Sequence, residues 1–161
     1  MATRSITQRG DEILTKVCRP VERFDKKLET LLADMAQTMY RADGVGLAGP
    51  QVGMLRRLFV VDIGQGLIEA VNPEIRERSG AEQGLEGCLS CPDIMALVTR
   101  PTRVVLHACD RFGREYDLEA EGFLARAICH EYDHLDGKTI YETGDRLLTR
   151  EQAQRYLEEQ Q

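Results

Sequence analysis

A chain of 161 residues with 42% hydrophobic and 30% charged side chains has the length and balance of one globular domain, 1–161, able to bury roughly two-thirds of its unfolded surface. Its 27 acidic residues outnumber 21 basic ones, for a net charge of −6, which argues against a nucleic-acid groove or an anionic membrane as the main partner. The five cysteines (Cys18, Cys88, Cys91, Cys109, Cys129) are odd in number and come without a signal-like segment or an apolar run of about 18 residues. The expectation is a reduced, cytoplasmic compartment with at least one thiol free for metal or chemistry.

Residues 1–20 are polar and irregular, punctuated by Gly10 and Pro20, and are expected to wrap the surface. The first helix is predicted over Phe24–Ala42, where Leu28, Leu31, Leu32, Met35 and Met39 recur at helical spacing and Asp25 can cap the start. Asp43–Gly53 is a glycine-rich loop. It lacks the Lys-Ser/Thr ending of a phosphate-binding loop, and its use is to let backbone approach a ligand or to close a turn. Strands are predicted over Arg57–Ile63 and Leu67–Val71, the second ended by Asn72-Pro73, with Ile75–Arg78 as a short polar edge. Gly84–Ser90, Met95–Thr99 and Arg103–Asp110 follow, and Glu115–Glu119 pairs with the last as a hairpin partner. A short charged helix closes the chain over Thr149–Glu159, with Thr149 and Gln152 as its capping box.

Between the hairpin and that last helix lies His130-Glu131-Tyr132-Asp133-His134. The preceding residues, Glu121–Ile128, are good helix formers without proline. Positions four apart on a helix lie one above the other, so both imidazoles can reach one metal ion. Glu131 falls on the side of the stripe formed by Leu124, Ala127, Ile128 and Leu135, and points inward. A buried carboxylate without a partner is costly, so Glu131 is expected to have a task. Gly137 is placed as the residue that ends this helix. The order helix, strands, helix predicts an α+β fold, with mostly antiparallel sheets packed around a central motif-bearing helix. Two histidines leave a tetrahedral site half built. His107 reads as a packed or half-exposed strand residue, so the cysteines are the remaining candidates. Cys88, in a turn-like setting at a strand end, would complete two imidazoles and a thiolate with an open fourth position.

Three segments, in order, resemble the three signatures of the peptide deformylase family: Gly44-Val45-Gly46-Leu47-Ala48-Gly49-Pro50-Gln51, Glu86-Gly87-Cys88-Leu89-Ser90, and His130-Glu131-Tyr132-Asp133-His134-Leu135-Asp136-Gly137. The similarity runs to about Thr149. It implies that Cys88, His130 and His134 bind one divalent metal ion, with Fe²⁺ the usual one; the ligand types alone suit Zn²⁺, Ni²⁺ and Co²⁺ too. It implies Glu131 as general base and then acid. Gln51, through its side-chain amide, and Leu89, through its backbone N–H, would hold the oxyanion, and the Gly46 backbone would pair with the substrate. The implied reaction removes the formyl group from the N-terminal formylmethionine of new polypeptides, releasing formate, in a monomer that meets nascent chains at the ribosome. Gly49, Cys91 and Cys129 depart from the family's usual alanine, aliphatic residue and glutamine. No ligand is lost by these changes.

Two other readings use part of the pattern. A zinc endopeptidase would explain His130, Glu131 and His134 and leave Cys88 and Gln51 idle. A closed, non-catalytic zinc site would add Cys91 to Cys88 and the two histidines. The 38 residues between Cys91 and His130 far exceed the roughly 12–15 of a zinc finger, and on an extended stretch positions 88 and 91 point to different faces.

Overall fold

The computed structural model describes residues 2–161. The first long helix, α1 (Lys26–Arg41), starts where the Asp25 carboxylate accepts the Leu28 N–H at 3.1 Å, as the cap reading requires. Its buried stripe Leu28, Leu31, Leu32, Met35 and Met39 packs on one face of a five-stranded antiparallel sheet. In spatial order that sheet is β1 (Gly46–Ala48), β2 (Leu58–Val61), β3 (Ile68–Ser79), β6 (Arg103–Cys109) and β7 (Glu115–Glu121). The motif helix α2 (Gly122–His134) covers the other face. Side chains alternate across a strand, so Leu58 and Val60 join the α1 cluster while Phe59 and Val61 join the α2 cluster. All four are buried because both faces are covered.

The break expected at Asn72-Pro73 does not occur: β3 runs on to Ser79, paired with β2 over Ile68–Val71 and with β6 from Val71 onward, with register shifts after Val71 and Ile75. Ile75–Arg78, paired with β6 alone and mostly exposed, is a polar edge as expected, but as the continuation of β3 rather than a separate strand. Pro73 has no N–H to give a ladder, and it sits inside the first bulge. Asn72 takes φ 50°, a left-handed conformation that asparagine tolerates. Its side chain accepts from Val21 N at 2.7 Å and donates to Val21 O at 2.9 Å. The bulge is therefore held by the N-terminal segment, a long-range cause that local sequence does not show.

A second, three-stranded sheet holds β4 (Glu82–Cys88), β5 (Cys91–Arg100) and β8 (Arg146–Thr149) in the order β4-β5-β8. β8 was not anticipated; four residues with one buried side chain, Leu148, carry too little pattern. The one-turn helix α3 (Ile140–Thr143) precedes it. The C-terminal helix α4 (Arg150–Glu159) starts with the expected box: Gln152 N donates to Thr149 Oγ1 at 3.1 Å and Thr149 N to Gln152 Oε1 at 2.9 Å.

The N-terminal arm does more than wrap the surface. Thr7 N donates to Gln51 O, Arg9 N to Ser90 O and Cys18 N to Leu135 O, all at 2.8–2.9 Å, so it braces all three motif segments. Leu14 and Cys18 are buried. Helix α2 ends with Leu135 as its cap rather than at Gly137. Gly137 lies two residues on, at φ 76°, where a Cβ would stand 2.4 Å from Thr15 O, so close approach of the arm is what demands glycine there. Among the described residues no helix is long and apolar enough to cross a membrane.

Candidate metal centre

Helix α2 sets His130 and His134 one turn apart, with ring centroids 5.2 Å from each other. The end of β4 brings Cys88 to them: Cys88 Sγ lies 3.5 Å from His134 Nε2. One ligand atom from each of Cys88, His130 and His134 falls within 4.8 Å of the other two. Metal–ligand bonds of about 2.0–2.3 Å place tetrahedral neighbours about 3.5 Å apart, the separation of Cys88 Sγ from His134 Nε2, so the set is spaced to hold one ion. The donor set of one sulfur and two imidazole nitrogens fits a first-row divalent metal and leaves a fourth position open. Cys91 is not in the set. The expectation that positions 88 and 91 face apart is nevertheless wrong: Leu89-Ser90 forms a turn, and Cys88 and Cys91 are direct antiparallel partners across it.

The surroundings set the ligands' state. His130 Nδ1 pairs with Glu86 Oε1 at 2.9 Å, which turns Nε2 toward the site. Glu86 is buried and clamped by two arginines: Arg100 Nε and Nη2 at 2.9 Å each, and Arg126 Nη1 at 2.7 Å. Burial alone would push its carboxyl up, but the bonds from Arg100 and His130 outweigh it and hold the group down at about 2. Arg100 also pairs with Asp133. Desolvation, aided by the charge of His130, keeps His134 well below the usual imidazole range, and a neutral imidazole is what a metal needs. The Cys91 thiol and burial both raise Cys88; a bound cation acts in the opposite direction on a thiol.

Glu131 is 4% exposed, and its Oε1 has no partner. Desolvation pushes it up to about 7 against the pull of His130. Its other oxygen explains Gly46: a Cβ there would lie 2.3 Å from Glu131 Oε2, so only glycine lets β1 and this carboxylate sit together. Gln51 is 1% exposed. Ala48 N donates to its Oε1 at 3.0 Å. That fixes the amide so that Nε2 points at Ser90 Oγ, 3.1 Å away, and at Cys88 Sγ, 3.7 Å away. Leu89 follows Cys88 in the turn and covers Gly44, where a Cβ would lie 2.7 Å from Leu89 Cδ1.

These groups open on a cavity of about 450 Å³ whose apolar lining includes Val45, Leu85, Met95, Phe123 and Ala127. β1 is an edge strand of its sheet, and Gly44, Val45 and Gly46 form part of the same lining. His107 stands apart, paired on the β6–β7 hairpin with Asp117 at 2.6 Å and Glu115 at 3.1 Å, as its strand reading requires. Sequence reasoning assigned no work to Glu86, Ser90, Arg100 or Arg126. The Glu86-Gly87-Cys88 signature marks the first without saying what it touches, and the arginines carry no local signal.

The family model described as polypeptide deformylase matches residues 3–150. The peptide deformylase of Caldicellulosiruptor bescii is 53% identical over 154 residues, covering 96% of this chain and 93% of that protein. Peptide deformylase 1 of Clostridium acetobutylicum is 56% identical over 137 residues, 85% of this chain and 91% of that one. Among solved structures, the peptide deformylase of Thermotoga maritima matches with a TM-score of 0.88 and 39% identity, over 91% of this chain and all of that one. That of Legionella pneumophila matches at 0.86 and 40%, over 99% and 98%. With this likeness along nearly its whole length, and a Cys-His-His cluster able to hold a metal ion where the signatures meet, the chain belongs to the peptide deformylase family.

Proposed function

We propose that residues 1–161 act as one catalytic domain that removes the formyl group from the N-terminal formylmethionine of new polypeptides, with Cys88, His130 and His134 as metal ligands. The observation that carries this reading is the buried carboxylate of Glu131, with Oε1 unpartnered, beside a Cys-His-His cluster that can hold a metal ion. Cys88, His130 and His134 would hold a divalent cation there, which would supply Lewis acidity and a bound water of lowered pKa. Glu131 takes the proton from the attacking water and delivers it to the departing amine. Gln51, whose Nε2 is already aimed at the cluster, and the Leu89 N–H donate to the oxyanion as it forms. The free edge of β1 at Gly46 pairs with the substrate backbone as an added strand. The apolar cavity takes the methionine side chain, worth about 1.5–3 kcal/mol on full burial.

Ferrous iron is the proposed metal, a monomer the proposed state, and nascent chains at the ribosome in the cytoplasm the proposed setting; the acidic net charge of −6 supports a peptide rather than nucleic acid as the direct partner. The test is formate release from a formyl-Met peptide by protein loaded anaerobically with Fe²⁺, beside an unformylated peptide of the same sequence. Formate release without internal cleavage is expected. Cleavage of internal bonds in the unformylated peptide would overturn the reading in favour of an endopeptidase.

A further inference from the structure

The reaction leaves one reactive group beside the metal cluster without a role. Cys91 opens β5, and across the two-residue turn Leu89-Ser90 it is the direct antiparallel partner of Cys88. Opposed residues of antiparallel strands point to the same side, with Cα atoms about 4.5–5.5 Å apart, inside the span of about 4.4–6.8 Å that a disulfide needs. The two side chains pack in one small cluster with Ile94, and both line the cavity. A small solvent-borne oxidant therefore reaches them by the opening the substrate uses. The other thiols lack this placement: Cys18 and Cys129 are buried in the main core, and Cys109 on β6 is not among the cavity residues.

We propose that Cys88 and Cys91 form an oxidative modification site, in which a peroxide joins them in a disulfide that withdraws Cys88 from the metal set. The second half of this statement rests on the reading of Cys88 as a ligand. One thiolate sulfur attacks the peroxide O–O bond, forming an S–O bond and expelling hydroxide. The partner sulfur then attacks that sulfur, forming the S–S bond and expelling a second hydroxide. The two thiols are oxidised by two electrons, the peroxide is reduced by two, and protons from the thiols and solvent turn both hydroxides into water. A disulfide sulfur carries no thiolate charge to offer a cation, so the ion leaves. A dithiol reductant reverses the step. A cysteine ligand without such a partner goes on to sulfinic and sulfonic acids, which a dithiol does not restore.

The test treats the metal-loaded full chain with a small excess of hydrogen peroxide. Free thiols are counted by alkylation and mass spectrometry, the cross-linked peptide is mapped, and released metal is captured by a chromophoric chelator. The count is expected to fall from five to three, with Cys88 joined to Cys91, metal appearing in step, and dithiothreitol restoring all five thiols. In Cys91→Val the fraction recoverable by dithiothreitol should fall by about tenfold or more, because Cys88 then follows the irreversible branch. Five thiols remaining after oxidation, a disulfide mapped to any other pair, or the same recovery in Cys91→Val as in the parent overturns the proposal. The mapping uses the unaltered chain, so it decides even if the variant does not fold. A Cys88–Cys91 disulfide formed while the metal stays bound upholds the modification site and sinks only the assignment of Cys88 as a ligand.

Discussion

Glu131 and Glu86 are carboxylates beside the same imidazole, His130, and their surroundings drive them in opposite directions. Glu86 is held ionised by arginines; Glu131 is desolvated, and its Oε1 has no partner. This division has a measurable consequence in the metal-free protein. The folded-state value of Glu131, about 7, lies above its ordinary 4.5, so its favourable contribution is full below about 4.5 and is lost as pH rises through 7. Glu86, at about 2, contributes above 4.5, and that contribution is lost as pH falls through 2. Between about pH 5 and 7.5 Glu131 therefore lowers the melting temperature of the metal-free protein as pH rises, while His134, held well below the imidazole range, acts in the opposite direction; Glu131→Gln should make the pH slope of the melting temperature more positive, and a slope unchanged in Glu131→Gln would show that another group titrates. The same variant should keep its metal and lose about 10²–10⁴ in turnover, and near-parental turnover in the loaded variant would end the proton-transfer role. Gln51→Leu removes a donor without touching a ligand. A loss of about 10²–10³ in kcat, with KM changed far less, is expected for an oxyanion donor. If only stability or KM moves, the amide serves Ala48 and Ser90 as a brace, and the oxyanion role falls.

Elements were legible where their cause is local. Helix α1 announces itself by its stripe and by Asp25, α4 by Thr149 and Gln152, and the β6–β7 hairpin by Arg111-Phe112-Gly113. The histidine pair was legible for the same reason, since its spacing and the helix period lie within one segment. What failed depends on partners distant in the chain. β3 continues through Asn72-Pro73 because Val21, 51 residues away, anchors the Asn72 side chain while Arg57 O takes the Asn72 N–H, and β8 exists because β5 offers it an edge. Cys91 was misjudged because an alternation rule was carried through a turn. The Asn72 account can be checked. Asn72→Ala strands the Val21 N–H and C=O and keeps a left-handed residue without the side chain that tolerates it, at a cost of about 1–3 kcal/mol. For a chain of this size that is a fall of about 2–4 °C in melting temperature per kcal/mol. Turnover per folded molecule should hold, because the bulge lies outside the cavity lining. An unchanged melting temperature would mean that the arm does not hold the bulge.

At the scale of the molecule, α2 is a helix with two partners. Ala125, Ile128 and Cys129 pack into the apolar core of the five-stranded sheet. Arg126, His130 and Asp133 face the three-stranded sheet through ions: Arg126 and His130 to Glu86, and Asp133 to Arg100. The candidate metal cluster lies on this second seam, with Cys88 from the small sheet and both histidines from the helix. Ionic seams are costly to desolvate and contribute little net stability, so a bound cation should supply a noticeable share of what holds the small sheet in place. A metal at about 100 times its dissociation constant adds about 2.7 kcal/mol, or roughly 5–10 °C at this chain length. Chelation should therefore lower the melting temperature by that amount, and metal added back should restore it. Cys88→Ala should melt near the chelated parent and gain nothing from added metal, since two imidazoles alone hold the ion weakly. Two outcomes would separate the possibilities. A chelated parent that melts where the loaded one does would show that the seam is complete without the ion. A Cys88→Ala variant that still responds fully to metal would show that the stabilising ion is bound elsewhere, and the three-ligand assignment would have to be abandoned.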